Sequence, residues 1–131
     1  MKKLLIFTIV LVALSGCHES LEDRAARETK EYTEKNCPTP TVNFTRMDSI
    51  TFDKSSRTVN YYYTLCDKAD DTEIINKQKD ELRKTLLKSL KASTQLKVYK
   101  QAGFNIKYVY HSEKSPSTTL FEAEYTKKDY L

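Results

Sequence analysis

One long amphipathic segment, flanked on each side by a pair of alternating apolar runs, most narrows what this chain can fold into. The segment opens at Asp70-Asp71-Thr72-Glu73, where Asp70 is placed to cap a helix and Glu73 stands at the reciprocal capping position. Acids at this end also suit the helix dipole. Ile75, Leu82, Leu86 and Leu90 recur at helical spacing and make one apolar face, helped by Ile74 and Leu87. Glu73–Lys77 and Asp80–Lys84 are i,i+4 pairs in the favourable orientation. Ser93-Thr94 breaks the helix. A short second helix then runs through Leu96, Tyr99 and Ala102 to Gly103, a good left-handed stop.

Upstream, Val42 to Phe52 and Thr58 to Cys66 read as strands joined by the polar turn Asp53-Lys54-Ser55-Ser56. Val59, Tyr61, Tyr63 and Leu65 alternate onto one face of the second run. Val42, Phe44, Ile50 and Phe52 do the same in the first, but Arg46 and Asp48 interrupt and Met47 has the opposite parity, which predicts a bulge. Downstream, Phe104, Ile106, Tyr108 and Tyr110 alternate, then Phe121, Ala123 and Tyr125, about a turn from Ser112 to Ser117 that contains Pro116. Ahead of all this, Ser20 to Lys35 reads as a helix capped by Ser20. Its apolar stripe is thin (Leu21, Ala25, Thr29, Tyr32), enough to dock lightly on a domain or to serve as a stalk. The resulting fold class is α+β: a single domain, an N-terminal helix then β-β-α-β-β, with an antiparallel sheet and helices on one face.

The first seventeen residues obey different rules. Lys2 and Lys3 precede an apolar run from Leu4 to Ala13, and Leu14-Ser15-Gly16-Cys17 follows. The run is too short for a bilayer core, which needs about 20 residues. The segment resembles the signal peptide of a bacterial lipoprotein, with Leu14-Ser15-Gly16-Cys17 as its lipobox. That resemblance implies a lipid on the Cys17 thiol and cleavage before it. Residues 1–16 are then a cleaved signal, 17–36 a lipidated N-terminus with a charged helix or stalk, and 37–131 the α+β domain. The signal carries two of the 22 basic residues and none of the 18 acidic ones, so its removal lowers the net charge from +4 to +2. Such a balance is not the footprint of a nucleic-acid binder. Two acyl chains on one cysteine give stable anchoring to a membrane.

Of three cysteines, Cys17 is taken by the lipid, leaving Cys37 and Cys66 as an even pair in an oxidising compartment. A Cys37–Cys66 disulfide is the economical reading, contributing about 3–4 kcal/mol in the chain-entropy model. A reactive thiol is the alternative, but there is no Cys-x-x-Cys spacing and no histidine near either cysteine in sequence.

Catalytic and cofactor signatures are missing. His18 sits beside the anchor and His111 at a strand end, without the carboxylate and nucleophile that a triad needs. No metal-ligand spacing and no glycine-rich phosphate loop occur, so no cofactor is expected and the chain does not read as an enzyme. Nine tyrosines against no tryptophan stand out. Tyr61, Tyr63, Tyr108 and Tyr110 suit a thin core whose edges touch water, or a binding surface, while Tyr62 has outward parity. Lys77, Lys79, Arg83, Lys84, Lys88, Lys91, Lys97 and Lys100 crowd the long helix and its extension. They are a solvated face or, at Lys84, Lys88 and Lys91, a contact for anionic headgroups, glycans or an acidic partner.

Asn36-Cys37-Pro38, Tyr62-Tyr63-Thr64-Leu65-Cys66, Ala102-Gly103-Phe104 and Lys128-Asp129-Tyr130, with the lipobox and the acidic segment after it, resemble small uncharacterised lipoproteins of Bacteroides-type Gram-negative bacteria. The resemblance implies a membrane-anchored envelope protein, a non-enzymatic binding or structural module with an envelope protein or glycan as partner. An inhibitor or immunity-type lipoprotein that blocks an envelope hydrolase or toxin is the alternative. His18 stands where inner-membrane lipoproteins of enteric bacteria carry aspartate, which favours the outer membrane. Changing Cys17→Ser is expected to abolish labelling by a palmitate analogue; unchanged labelling refutes the lipobox reading.

Overall fold

The computed structural model describes residues 18–131, so Cys17 and the signal-like segment lie outside the described residues. Ser20 caps α1 (Leu21–Asn36), its side chain accepting the Asp23 N–H at 3.0 Å. The charged surface of α1 neutralises itself through Arg24–Glu28 and Arg27–Glu31 along the helix and Arg27–Glu19 at its start. Its thin stripe docks on the sheet. Ala25 is fully buried, and the Thr33 hydroxyl both donates to the Ile50 carbonyl and accepts the Ile50 N–H, each at 2.9 Å. The helix is therefore a layer of the domain and not a free stalk.

The first hairpin pairs β1 (Thr45–Asp53) with β2 (Thr58–Leu65), and the register slips between Met47 and Ser49, where the parity change predicts a bulge. β1 begins three residues later than the apolar pattern suggests. Asn43 and Phe44 take left-handed backbone angles (φ 52° and 61°), turning the chain and leaving Val42 and Phe44 exposed. A single 3-10 turn (Asp67–Ala69) leads to α2 (Thr72–Ala92). Asp71, not Asp70, caps this helix, accepting the N–H groups of Glu73 and Ile74. Asp70 is buried and accepts the Lys114 N–H at 2.9 Å, which fastens the start of α2 to the turn of the second hairpin.

After α2 come α3 (Lys97–Gln101), β3 (Asn105–Ser112), β4 (Thr119–Tyr125) and α4 (Lys127–Tyr130). Gly103 ends α3 at φ +78°. Its N–H bonds the Lys100 carbonyl and the Phe104 N–H bonds the Tyr99 carbonyl, the paired pattern that closes a helix at a left-handed residue. The terminal helix α4 has no counterpart in the sequence reading; a reciprocal Thr126–Asp129 cap starts it.

The strands lie in chain order, β1-β2-β3-β4. Both hairpins are antiparallel, but β2 and β3 run parallel, so the sheet is mixed and the fully antiparallel expectation is corrected. The reason is the length of α2. At 1.5 Å per residue, its 21 residues cover about 30 Å, as long as the strands, and return the chain to the end where β2 began.

The core lies between the sheet and the helices. Phe104, Leu90, Ile106 and Val59 are its most deeply buried large side chains. Phe104 stacks on Phe52 at 5.0 Å and on Tyr99 at 5.5 Å, with the Arg57 guanidinium 4.7 Å from its ring. The expected Cys37–Cys66 crosslink is not formed, and both are free thiols. Their surroundings differ. Burial pushes both thiols up, but Asp48 is the charged neighbour of Cys37, whereas Cys66 has Glu113 and Arg46 and lies 3.8 Å from the Thr64 carbonyl.

Lys100 departs from the basic surface that its sequence neighbours suggest. It is buried, and its Nζ donates to the carbonyls of Leu90 at 2.7 Å and Lys91 at 3.1 Å. A cation is thus placed on the C-terminal carbonyls of α2, where the helix dipole favours it. Replacing Lys100 with methionine is expected to cost about 1.5–3 kcal/mol, the range for hydrogen bonds to charged groups. Lys97→Met, on an exposed side chain, should stay within about 0.5 kcal/mol. Urea denaturation of the two variants checks the contrast.

Candidate functional site

The alternation Tyr61, Tyr63 on β2 and Tyr108, Tyr110 on β3 puts four rings on the helix-bearing face of the two central strands, in parallel register. Tyr61 pairs with Tyr108 at 5.2 Å and Tyr63 with Tyr110 at 4.8 Å, both stacked, and Tyr61 also stacks along its strand on Tyr63 at 6.4 Å. Phe121 and Tyr125 of β4 extend the array sideways. Helix α1 packs on β1 and α2 on β4, so the tyrosines form the floor of a groove between the helices.

The groove has two hollows. One, of about 350 Å³, is walled by Ile75, Leu82 and Leu86 of α2, with Leu65, Tyr110 and Phe121 beneath. The other, of about 250 Å³, lies between Tyr32 of α1 and Leu96 and Tyr99 of the α3 region, over Met47, Ile50 and Tyr61. The Tyr99 hydroxyl donates to the Glu28 carboxylate and ties α3 to α1, which narrows this end.

The walls are apolar, but the floor is not fully so. Among the described residues, the hydroxyls of Tyr61, Tyr63, Tyr108 and Tyr110 have no protein partner, and none is sealed from solvent. By contrast, Tyr125 and Tyr130 donate to backbone carbonyls, of Arg83 and of Phe104. Burial pushes Tyr61 up to about 12 and raises Tyr63, Tyr108 and Tyr110 as well, so all four stay neutral at physiological pH. Tyr110 lines the first hollow and Tyr61 the second, so each offers aromatic area and a neutral hydroxyl to whatever enters.

Other candidate residues are dispersed. Lys84, Lys88 and Lys91 are exposed on the outer side of α2, away from the groove, and Lys84 lies 3.6 Å from Glu81. His111 is on the opposite, uncovered face of the sheet, its ring stacked with Tyr62 at 6.4 Å and its Nδ1 buried without a partner. Lys107 and Glu122 pair at 2.9 Å on that same face. Among the described residues no group of His, Cys, Asp or Glu side chains could hold a metal ion, and no helix is long and apolar enough to cross a membrane.

The groove was only half visible beforehand. Alternation places the four tyrosines on one face, but a core reading and a surface reading predict the same spacing. Their true position depends on the separation of two helices, which no local pattern encodes. The unequal burial along α2, complete at Leu90 and partial at Leu82 and Leu86, is the mark of that open side.

A family model for a domain of unknown function, DUF8479, matches residues 20–121. The chain belongs to that family. The DUF8479 match runs from the cap of α1 into β4 and so includes the whole groove floor. No curated protein matches the sequence. Among solved structures, this DUF8479 domain is similar to PA3611 of Pseudomonas aeruginosa, described as a candidate secreted protein, with a TM-score of 0.67 and 12% identity over 86% of this chain and 98% of that one. It is also similar to the pilotin EpsS of the Vibrio vulnificus type 2 secretion system (TM-score 0.63, 12% identity, 84% and 91% covered). The type II secretion pilotin AspS of Vibrio cholerae follows at TM-score 0.57 and 14% identity, with 82% and 90% covered. At these identities the likeness is one of fold.

The raised tyrosines carry a pH dependence with a definite sign. Their neutral form is favoured in the fold, so the stabilisation is complete below the unfolded value of about 10 and is lost as pH rises toward 12. Urea midpoints measured from neutral pH upward are expected to fall above about pH 10, and the Tyr61→Phe, Tyr63→Phe double variant should flatten that fall.

Proposed function

We propose that this domain is a non-enzymatic binding module, held at the cell envelope by a lipid on Cys17, that takes an apolar segment of another envelope protein into the groove between α1 and α2. The observation that carries the reading is the groove floor. Tyr61 and Tyr110, whose hydroxyls have no protein partner among the described residues, each line one of the two hollows between apolar walls. An amphipathic segment laid on such a floor buries its apolar face against Leu82, Leu86 and Phe121, and its backbone or polar atoms meet the hydroxyls.

The anchor is supported by Leu14-Ser15-Gly16-Cys17, and the outer membrane of a Gram-negative bacterium by His18 after that cysteine. The fold likeness to EpsS and AspS supports an accessory role in an envelope assembly over a catalytic one.

The test is site-specific photo-crosslinking in the full chain, in its own cells. A photoreactive residue at Tyr110 is expected to give one discrete adduct with an envelope protein, and the same residue at Asn60 on the uncovered face none. Leu86→Glu, in the groove wall, should reduce the Tyr110 adduct about tenfold, the effect of 1.4 kcal/mol, without loss of helical circular dichroism. Equal adducts from Tyr110 and Asn60 would overturn the groove assignment. A hydrolase or toxin as the adduct would favour the inhibitor reading.

A further inference from the structure

The described chain starts at His18, and contacts place that start at one end of the domain. Glu22 of α1 meets Arg57 at 3.2 Å, and Asp23 pairs with Lys54, so the first turn of α1 sits on the β1–β2 turn. Arg57 in turn donates to the Ala102 carbonyl at 3.1 Å, and Asn105 donates to Ser56 at 3.2 Å. Gly103 lies against the Lys127 side chain, and Tyr130 donates to the Phe104 carbonyl at 2.7 Å. Lys100 joins this cluster to the last carbonyls of α2. The entry of the chain, the end of α2 and the whole of α4 therefore share one end of the molecule.

That end is unbalanced in charge. From Leu82 to Ser112 the sequence has no acidic residue. Lys88 and Lys91 near the end of α2, with Lys127 and Lys128 on α4, are exposed and take part in no ion pair among the described residues. Most nearby acids are already engaged: Glu22 and Asp23 with Arg57 and Lys54, Glu19 with Arg27, Asp53 with Ser55, and Asp129 as the cap of α4, while Glu124 lies close to Lys107. At the opposite end, about 30 Å away along α2, Asp67, Asp70, Asp71 and Glu73 gather with Lys68, Lys77 and Lys114, so acids and cations are there nearly in balance. The segment of residues 1–17 adds no acidic residue to either end.

We propose that the end formed by Lys88, Lys91, Lys127 and Lys128 rests on the anionic phospholipid headgroups of the membrane to which the chain is tethered. The proposal builds on the lipid-anchored reading and adds an orientation to it. The tether leaves from the cationic end, so anchor and headgroup contact act on the same side. A diacylated cysteine holds a protein at the bilayer by itself, so the lysines set the tilt of the domain more than its residence. With the cationic end down, the hollow lined by Leu65 and Ile75, near the start of α2, faces away from the bilayer.

The experiment uses the full processed chain, extracted from membranes and mixed with vesicles of phosphatidylcholine alone or with a third phosphatidylglycerol. Flotation with the neutral vesicles reads the lipid anchor. Lysine-by-lysine labelling with a membrane-impermeant amine reagent, resolved by mass spectrometry, reads the orientation. On anionic vesicles at low salt, Lys91, Lys127 and Lys128 are expected to be protected on the order of fivefold relative to neutral vesicles, the effect of one cation near an anionic surface. Lys30 and Lys77 should be unchanged, and the protection should vanish at high salt. Equal labelling on both vesicles, or protection centred on Lys30 and Lys77, overturns the proposal. A chain that fails to float on neutral vesicles removes the anchor reading, while its labelling on anionic vesicles still decides the headgroup contact.

Discussion

The separation of two helices across four strands is the constraint on which the rest of this structure depends. Neighbouring strands lie 4.7–4.9 Å apart, so β1 and β4 are separated by roughly 14 Å. Close-packed helices prefer axes 8–10 Å apart. With α1 over β1 and α2 over β4, the central strands are left with less cover than a closed layer provides. Small side chains there would leave a void. Large amphipathic ones fill the depth while keeping their tips wet, and Tyr61, Tyr63, Tyr108 and Tyr110 do this. The groove is thus a geometric outcome of covering four strands with two helices.

Much of the fold was legible because local rules coincide with tertiary ones. Ser20, the bulge near Met47, the alternation of both hairpins and the stop at Gly103 each rest on a few neighbouring residues, and each is found in the structure. What escaped depends on distant partners. Asp70 and Asp71 are equivalent as caps until Lys114 arrives from the second hairpin and claims Asp70. Lys100 belongs to a basic run until its neighbour proves to be the end of α2. The antiparallel expectation failed at β2–β3 because alternation has no polarity, and the length of α2 decides the direction. The Cys37–Cys66 pairing rested on parity of number, which says nothing about where two side chains point.

The candidate site shows the same division. The residues that form it were singled out, but spacing alone could not separate a tyrosine core from a tyrosine floor. The basic face was likewise visible as a run of lysines. Its meaning changes when ion pairs take up Arg24 and Arg27 of α1 and Lys77 and Lys84 of α2, and leave Lys88, Lys91, Lys127 and Lys128 without one among the described residues. Charge pattern in a chain and charge pattern on a surface differ by the pairs the fold makes.

The chain-order arrangement of the strands bears on how the domain assembles. β1 with β2 and β3 with β4 are local pairings across short turns, each able to form with little loss of chain entropy. Only β2 with β3 joins distant residues, Leu65 with Ser112 and Thr58 with Asn105. Non-local pairings of this kind carry a larger closure cost than hairpins, and the 21 residues of α2 lie within the connection. The two halves of the chain meet along the seam that carries the tyrosines. The groove floor therefore takes rings from both halves and exists only in the assembled domain.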